Sequence, residues 1–134
     1  MYTYLEPQDD GLPTRETGKW ARVKLDYLAR YIAVFESSMR DKWPLRNYLD
    51  LLAGPGKNRL RETGEILLGS PLLALTTKYP FTGHHFVEYD PANAQALSQR
   101  CMASDARARI QVHTGDCNVL VDQVVADLRR DERR

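Results

Sequence analysis

The sequence predicts an α/β fold: a parallel sheet of about three strands with flanking helices. Three short apolar runs, each followed by small or acidic residues, are typical of buried strands. Helical patterns precede the first run and separate the others. Because strands that alternate with helices of this length form parallel sheets, we expect one domain over residues 17–134, after an irregular lead-in over residues 1–16. The total length of 134 residues also fits one domain.

The first helix is expected over residues 17–40, with Thr17 as its N-cap. Lysine, arginine and aspartate separate apolar residues that recur at helical spacing. These apolar residues are Trp20, Val23, Tyr27, Leu28, Tyr31, Ile32 and Phe35. Pro44 then marks a break, and "RNYLDLLAG" predicts the first buried strand.

Residues 57–69 contain two glycines and several charges, and predict an irregular connection. We expect residues 57–68 to form a mobile flap over the ligand site. A second helix, "SPLLALTTKY", follows, because serine at the N-cap and proline at the first helical position are a helix-start signature. Lys57, Arg59 and Arg61 are expected to be solvated, and a nucleic-acid role for them is a weaker alternative.

The second half of the chain supplies two more strands and two more helices. "HHFVEYD" predicts the second strand and "PANAQALSQRCMASD" a helix, for which Asp90 is a favoured N-cap. "RIQVHTGD" predicts the third strand, and "CNVLVDQVVADLRRDERR" the final helix with a charged end. The strands therefore follow one another with a helix between each pair.

Composition indicates an ordinary globular chain. Hydrophobic residues make up 43% and charged residues 28%, and the net charge of +1 indicates no global field for nucleic acid or membrane. Cys101 and Cys117 provide no disulfide framework, so we expect free thiols in a reducing compartment, the cytoplasm by default. No apolar run approaches the roughly 18 residues of a membrane-spanning helix. The acidic, Pro/Gly-containing start does not resemble a signal peptide.

The stretch "YLDLLAGPGKNR" raises the question of which ligand its glycine turn would meet. The phosphate-loop pattern G-x-x-x-x-G-K-[ST] would require a glycine at Leu51 and a hydroxyl at Asn58, so it fails. The dinucleotide pattern G-x-G-x-x-G with a helix directly behind it also fails, because the next helix is delayed to Ser70. A Rossmann-like nucleotide or dinucleotide binder nevertheless stays open as an alternative.

Acidic residues follow each predicted strand: Asp50, then Glu88, then Asp116. The carboxyl ends of parallel strands face one crevice, so these side chains are expected there. A carboxylate can accept hydrogen bonds from both hydroxyls of a ribose, and another can accept one from an exocyclic amine. Structural roles stay open as alternatives, since aspartate often serves in turns and caps.

Four short motifs in order, "YLDLLAGPG", "GSPLLAL", "FVEYD" and "TGDCN", resemble the three-Cys-motif partner family, which is similar to class I S-adenosylmethionine-dependent methyltransferases. The resemblance covers Lys19 to Asn118 and implies a Rossmann-like, partial methyltransferase-like fold that binds S-adenosylmethionine. It implies that Asp50 and the glycines meet the methionine end, Glu88 the ribose and Asp116 the adenine amine. The expected cofactor-binding residues are Asp50, Ala53, Gly54, Gly56, Gly69, Ser70, Glu88, Tyr89, Asp116 and Cys117. Leu52 departs from the glycine usual at its position.

Gly69 and Ser70 belong to this set for a physical reason. They open the second predicted helix, and a helix N-terminus carries about half a positive charge, which suits the cofactor carboxylate.

The resemblance also implies what the sequence lacks. Catalytic and acceptor-binding residues would lie on a fourth strand and beyond it, and nothing after Asn118 matches. We therefore name no catalytic residue and expect this chain alone to be inactive. A non-catalytic module that works with a partner protein is the alternative. Without a fourth strand, Tyr48 to Leu52 becomes a sheet edge, which predicts self-association, with pairing to a missing C-terminal half or cover by the N-terminal segment as alternatives. No metal site is expected, because His84 and His85 are adjacent on a strand and point to opposite faces.

Overall fold

The computed structural model describes residues 3–132, which contain four helices and six strands. The helices α1 to α4 span Trp20–Met39, Ser70–Thr76, Pro91–Cys101 and Cys117–Glu132, and a 3₁₀ turn spans Arg107–Arg109. The strands β1 to β6 span Arg15–Thr17, Asn47–Asp50, Lys57–Leu60, Ile66–Leu68, Gly83–Glu88 and Ile110–Thr114. The predicted α/β class is confirmed, although the strands form two sheets instead of one.

The first sheet is parallel throughout and has the order β2-β5-β6. Tyr48 is in register with His84, and His84 with Ile110, so these three side chains share one face. Within the described residues β2 pairs only with β5, so it forms one edge of this sheet, as predicted. The carboxyl ends of all three strands meet along one side.

The second sheet has the order β1-β3-β4 and corrects the predicted connection over residues 57–69. β3 and β4 form an antiparallel hairpin in which Lys57 pairs with Leu68 and Arg59 with Ile66. β1 adds to β3 in parallel, so the lead-in ends in a strand. The hairpin was not predicted, because its many charged residues interrupt the apolar pattern. Leu60 and Ile66 are nevertheless buried and attach the hairpin to the core.

Helix boundaries differ from prediction at two places. α1 begins at Trp20, and Lys19 occupies the N-cap position without a side-chain hydrogen bond, so the predicted cap at Thr17 is wrong. Thr17 instead lies in β1. α2 ends at Thr76, shorter than predicted, and its N-cap is Gly69. The predicted N-cap of α3 is confirmed, because the Asp90 carboxylate accepts the Ala92 amide at 2.9 Å.

The core lies between the parallel sheet and the helices α2 and α3. Leu72 of α2, Phe86 of β5 and Leu97 of α3 are fully buried there. A second cluster, built on Ile32 of α1 and Phe81, packs α1 against the same layer. None of the described helices is long and apolar enough to cross a membrane.

Candidate functional site

The carboxyl ends of β2 and β5 bring Glu88 beside the glycine turn over residues 53–56. Glu88 Oε1 accepts the Gly54 amide at 2.9 Å, and Oε2 accepts the Asp90 amide at 3.0 Å. The carboxylate is almost fully buried. Two backbone donors therefore fix its position and orientation at the edge of the sheet.

The turn itself requires glycine at two positions. Gly54 has φ of 72° and Gly56 has φ of 101°, a region that disfavours residues with a Cβ atom. A Cβ on Gly56 would lie 3.2 Å from Leu97 Cδ1, so the turn rests directly on the core. The Ala53 amide donates to the Val87 carbonyl at 3.0 Å, which ties the turn to the neighbouring strand.

The start of α2 lies beside this turn, as predicted. The Ser70 hydroxyl donates to Asp50 Oδ2, so the serine orients the carboxylate that ends β2. The Gly69 amide donates to the Gly56 carbonyl at 2.7 Å, and a Cβ on Gly69 would lie only 2.9 Å from that oxygen. Gly69 thus supports the turn, and its amide already has an acceptor.

Asp50 and Glu88 place two carboxylates at this edge with one neighbouring cation. Burial raises the pKa of Asp50 above its ordinary value, and the Glu88 charge adds to that effect, while hydrogen bonds from Ser70 and the Leu52 amide oppose it. Arg15 Nη2 lies 3.8 Å from Glu88 Oε1, and its guanidinium covers Gly54, where an added Cβ would be 2.7 Å from Nη2. A cationic ligand group at Asp50 would relieve the unfavourable burial of its charge.

Sequence reasoning missed Arg15, because only the pairing of β1 with β3 brings the lead-in to this edge. No local pattern in the sequence signals that pairing.

The remaining predicted residues lie around the same edge with more local contacts. The Gly115 amide donates to the Glu88 carbonyl at 2.9 Å, which brings the end of β6 alongside β5. Asp116 is exposed, and its carboxylate accepts the Asn118 amide at 2.9 Å at the start of α4. Tyr89 is 76% exposed, and Cys117 is half-buried. Asp116 therefore caps the start of α4, and its exposed carboxylate lies just after the carboxyl end of β6.

A buried ionic cluster lies on the other flank of the turn. Asp10 accepts from Arg100 at 2.7 Å and 2.9 Å, and its Oδ2 lies 3.0 Å from Lys57 Nζ. We call these three residues the Asp10 triad. All three side chains are at most 1% exposed. Burial alone would raise the pKa of Asp10, but hydrogen bonds from Arg100 and Lys57 outweigh burial and hold it well below its usual range.

The triad fastens the lead-in over the glycine turn. Lys57 Nζ donates to the carbonyls of Thr3 and Gln8 at 2.6 Å and 2.7 Å. Arg100 Nη1 donates to the carbonyls of Pro13 and Pro55 at 2.8 Å and 2.7 Å, and Pro55 belongs to the turn. The predicted solvation of Lys57 is therefore wrong: its charge is buried among carbonyls and Asp10.

A signal for Arg100 exists in the sequence. It follows Leu97 by three positions and Ala96 by four, so helical spacing places it on the buried face of α3. A buried arginine requires a carboxylate partner, which could have directed attention to the acids of the lead-in.

The histidines occupy opposite faces of β5, as predicted. His84 lies among Tyr48, Phe81 and Phe86, and both its ring nitrogens are buried without a hydrogen-bond partner among the described residues. Burial, with smaller effects of nearby cations, lowers the pKa of His84 to about 4. His85 stacks instead on His113, with ring centroids 5.9 Å apart. His84 is therefore a neutral core residue.

Comparison with known proteins assigns no family to this chain. No protein-family model matches the sequence, and no curated protein matches it. Function is therefore inferred from the residues at the carboxyl edge of the parallel sheet.

Proposed function

We propose that this edge of the parallel sheet, with Rossmann-like connectivity, binds S-adenosylmethionine or its demethylated product. The observation that carries the proposal is the fixed Glu88 carboxylate beside the glycine turn. An adenosine cofactor combines a ribose with two vicinal hydroxyls, an adenine and a charged amino-acid end. The edge offers groups of suitable chemistry for the ribose and for the amino-acid end, and Asp116 is the residue that we assign to the adenine amine.

Glu88 retains the capacity to accept both ribose hydroxyls. An ionised carboxylate has about four lone-pair sites. The amides of Gly54 and Asp90 use one site on each oxygen, and Arg15, at 3.8 Å, is beyond hydrogen-bond reach. One site on each oxygen therefore remains, which matches a bidentate contact with a vicinal diol. Because the carboxylate is already oriented, binding would not have to order it.

Asp50 and Arg15 suit the two charges of the methionine end. The raised pKa of Asp50 indicates that its negative charge lacks full compensation, so an ammonium group would be a favourable neighbour. The Arg15 guanidinium, 44% exposed and lying over Gly54, would pair with the carboxylate of the same ligand. The Ser70 hydroxyl keeps Asp50 in place between them.

Calorimetric titration with S-adenosylmethionine, S-adenosylhomocysteine and NAD tests the proposal. We expect both adenosyl ligands to bind and NAD not to bind. Glu88→Ala should weaken binding about tenfold or more, because charge-assisted hydrogen bonds contribute roughly 1.5–3 kcal/mol. Glu62→Ala is the matched control, since that carboxylate is exposed in the turn between β3 and β4. Tight NAD binding without S-adenosylmethionine binding would reject the proposal.

We further propose that the chain self-associates through the edge of β2. Exposed apolar side chains lie in the segments on either side of this strand, namely Trp43 at 61%, Leu45 at 51% and Leu52 at 72%. An unpaired edge with apolar neighbours recruits another strand unless charges protect it. Light scattering at micromolar concentration should give a dimer for the natural chain and a monomer for Leu45→Lys. Met102→Lys, at a position 67% exposed in another part of the fold, should leave the dimer intact. A monomeric natural chain contradicts this proposal.

A further inference from the structure

A cavity of about 510 Å³ lies between β1, β3 and the start of α1. Its volume is within the range of roughly 300–1,000 Å³ typical of small-ligand sites. Arg15 and Thr17 line it from β1, Trp20 and Lys24 from α1, and Arg61 from the end of β3. Of the residues in the candidate cofactor site, only Arg15 lines this cavity. The cavity therefore needs an explanation of its own.

The cavity is positively charged. Three cations line it against one carboxylate, Glu16, whose Oε1 lies 3.7 Å from Arg61 Nε. Lys24 has no acidic partner within 4.0 Å in the described part of the chain, and Arg15 approaches Glu88 only at 3.8 Å. Lys24 therefore remains available to an anion, and Arg61, which is beyond hydrogen-bond reach of Glu16, can also meet one.

The start of α1 adds to this field. No side chain caps the helix, and its first turn contains no acidic residue. The first amides of a helix carry about half a positive charge and favour phosphate. Thr17 also lines the cavity, but its Oγ1 is buried and does not reach the cavity surface, so the positive field there comes from the helix start and the cations.

An exposed row of aromatic rings leads away from the cavity. Trp20 is 66% exposed, and Tyr27 and Tyr31 on the same helix are 68% and 69% exposed. At 100° and about 1.5 Å per residue, the three lie within about 20° of one line along α1, with Tyr27 roughly 10 Å and Tyr31 roughly 16 Å beyond Trp20. A row of exposed rings beside cations, with Lys19 Nζ 5.9 Å from the centroid of the Trp20 ring, is the kind of surface on which the bases of a single strand stack.

We propose that this face of α1 binds single-stranded nucleic acid. One phosphate occupies the cavity beside Lys24 and Arg61, a base stacks on Trp20, and following bases reach Tyr27 and Tyr31. A free nucleotide would use only the cavity and Trp20, whereas the row of tyrosines continues past the length of one nucleotide. The proposal does not depend on cofactor binding at Glu88.

Fluorescence anisotropy of a labelled twelve-residue oligothymidylate tests the site. Trp20→Ala should weaken binding at least about fivefold, because each stacked base contributes roughly 1–3 kcal/mol. Lys24→Glu should weaken binding similarly and make it less steeply dependent on salt, since the slope reports the number of phosphate contacts. Met102→Ala and Lys78→Glu are the controls, because both residues are exposed, outside the cavity lining and not in the segments that flank β2. Neither control should change the affinity.

The chain contains two tryptophans, so in a Trp43→Phe background Trp20 is the only one left. Quenching of its fluorescence by the oligonucleotide would support stacking. Competition by adenosine monophosphate or inorganic phosphate at the affinity of the oligonucleotide would overturn the single-strand proposal, as would equal binding by the natural chain and Trp20→Ala. Glu88→Ala should still bind the oligonucleotide, so a failure of the cofactor proposal is distinguishable from a failure here.

Discussion

The two flanks of the Gly54–Gly56 turn carry buried charge in opposite ways. On one flank the Asp10 triad pairs one carboxylate with two cations, Lys57 and Arg100. The remaining N–H groups of these cations donate hydrogen bonds to backbone carbonyls. On the other flank Asp50 and Glu88 place two carboxylates beside one cation, which is in hydrogen-bond contact with neither. The first flank is complete in the protein alone, and on the second no cation is in hydrogen-bond contact with either carboxylate.

The pKa values of the two aspartates express the same difference. The pKa of Asp10 lies well below its usual range, because the two cations outweigh its burial. The pKa of Asp50 lies above its usual value, because its burial outweighs the hydrogen bonds it accepts. Buried charge with full pairing stabilises an arrangement of the chain, whereas buried charge without it identifies a place where a ligand can contribute.

The largest change in the free energy of unfolding is expected for a substitution in the Asp10 triad. Asp10→Ala removes the carboxylate and leaves Lys57 and Arg100 buried without a counter-ion, which should lower the free energy of unfolding by about 3–5 kcal/mol. Urea unfolding followed by circular dichroism measures this change. Asp9→Ala is the control, because the exposed Asp9 carboxylate accepts hydrogen bonds from the Gly11 amide and the Arg59 side chain at the surface. The control should not move the unfolding midpoint, and equal losses for the two variants would contradict a structural role for the triad.

The sequence predicted the parallel sheet because each of its strands is an apolar run that ends in small or acidic residues. It did not predict the sheet β1-β3-β4, whose strands are rich in charge and pair with segments far away along the chain. Lys57 illustrates the reason. Its partner Asp10 lies 47 positions earlier, and no local pattern states that a lysine after a glycine turn will be covered by the lead-in.

The candidate site was predictable to the extent that it lies at strand ends. Asp50, Gly54 and Glu88 meet as the spacing predicted, because the carboxyl ends of parallel strands share one side of a sheet. Ser70 also lies where the delayed helix start predicted. Arg15 and the covered state of the turn were not predictable, since both depend on the tertiary path of the lead-in.

The substitution Gly54→Ala tests whether the ligand approaches this turn, and Gly64→Ala is the control for the cost of changing the backbone conformation. Both Gly54 and Gly64 have positive φ, 72° and 74°, so alanine at either position should lower the free energy of unfolding by about 1–2 kcal/mol. At Gly64 the space for a Cβ is open, whereas at Gly54 it would meet the Arg15 guanidinium at 2.7 Å. Calorimetry should therefore show a loss of S-adenosylmethionine binding only for Gly54→Ala. Equal binding by the two variants would mean that the ligand does not approach this turn.

The smallest change in the free energy of unfolding is expected for a substitution of Asp50. It should be an increase, whereas Asp10→Ala lowers that free energy. Because the folded-state pKa of Asp50 is raised above its unfolded value, ionised Asp50 opposes folding at neutral pH, and this effect fades as the pH falls through the raised pKa. Asp50→Asn keeps an acceptor for Ser70 and removes the charge. It should increase the free energy of unfolding at pH 7, by less than about 1 kcal/mol given the size of a single hydrogen bond.

Asp10 provides the internal contrast for that measurement. Its folded-state pKa is depressed, so its contribution to stability is present above the unfolded pKa and is lost only as the pH falls from there towards the folded value. Urea unfolding at pH 7 and at pH 4.5 should therefore show the gain from Asp50→Asn shrinking at the lower pH, while the loss from Asp10→Ala persists. A loss of stability for Asp50→Asn at pH 7 would show that the protein already compensates the Asp50 charge. The Asp50 flank would then be as complete as the other, and the case for a cationic ligand at Asp50 would fail.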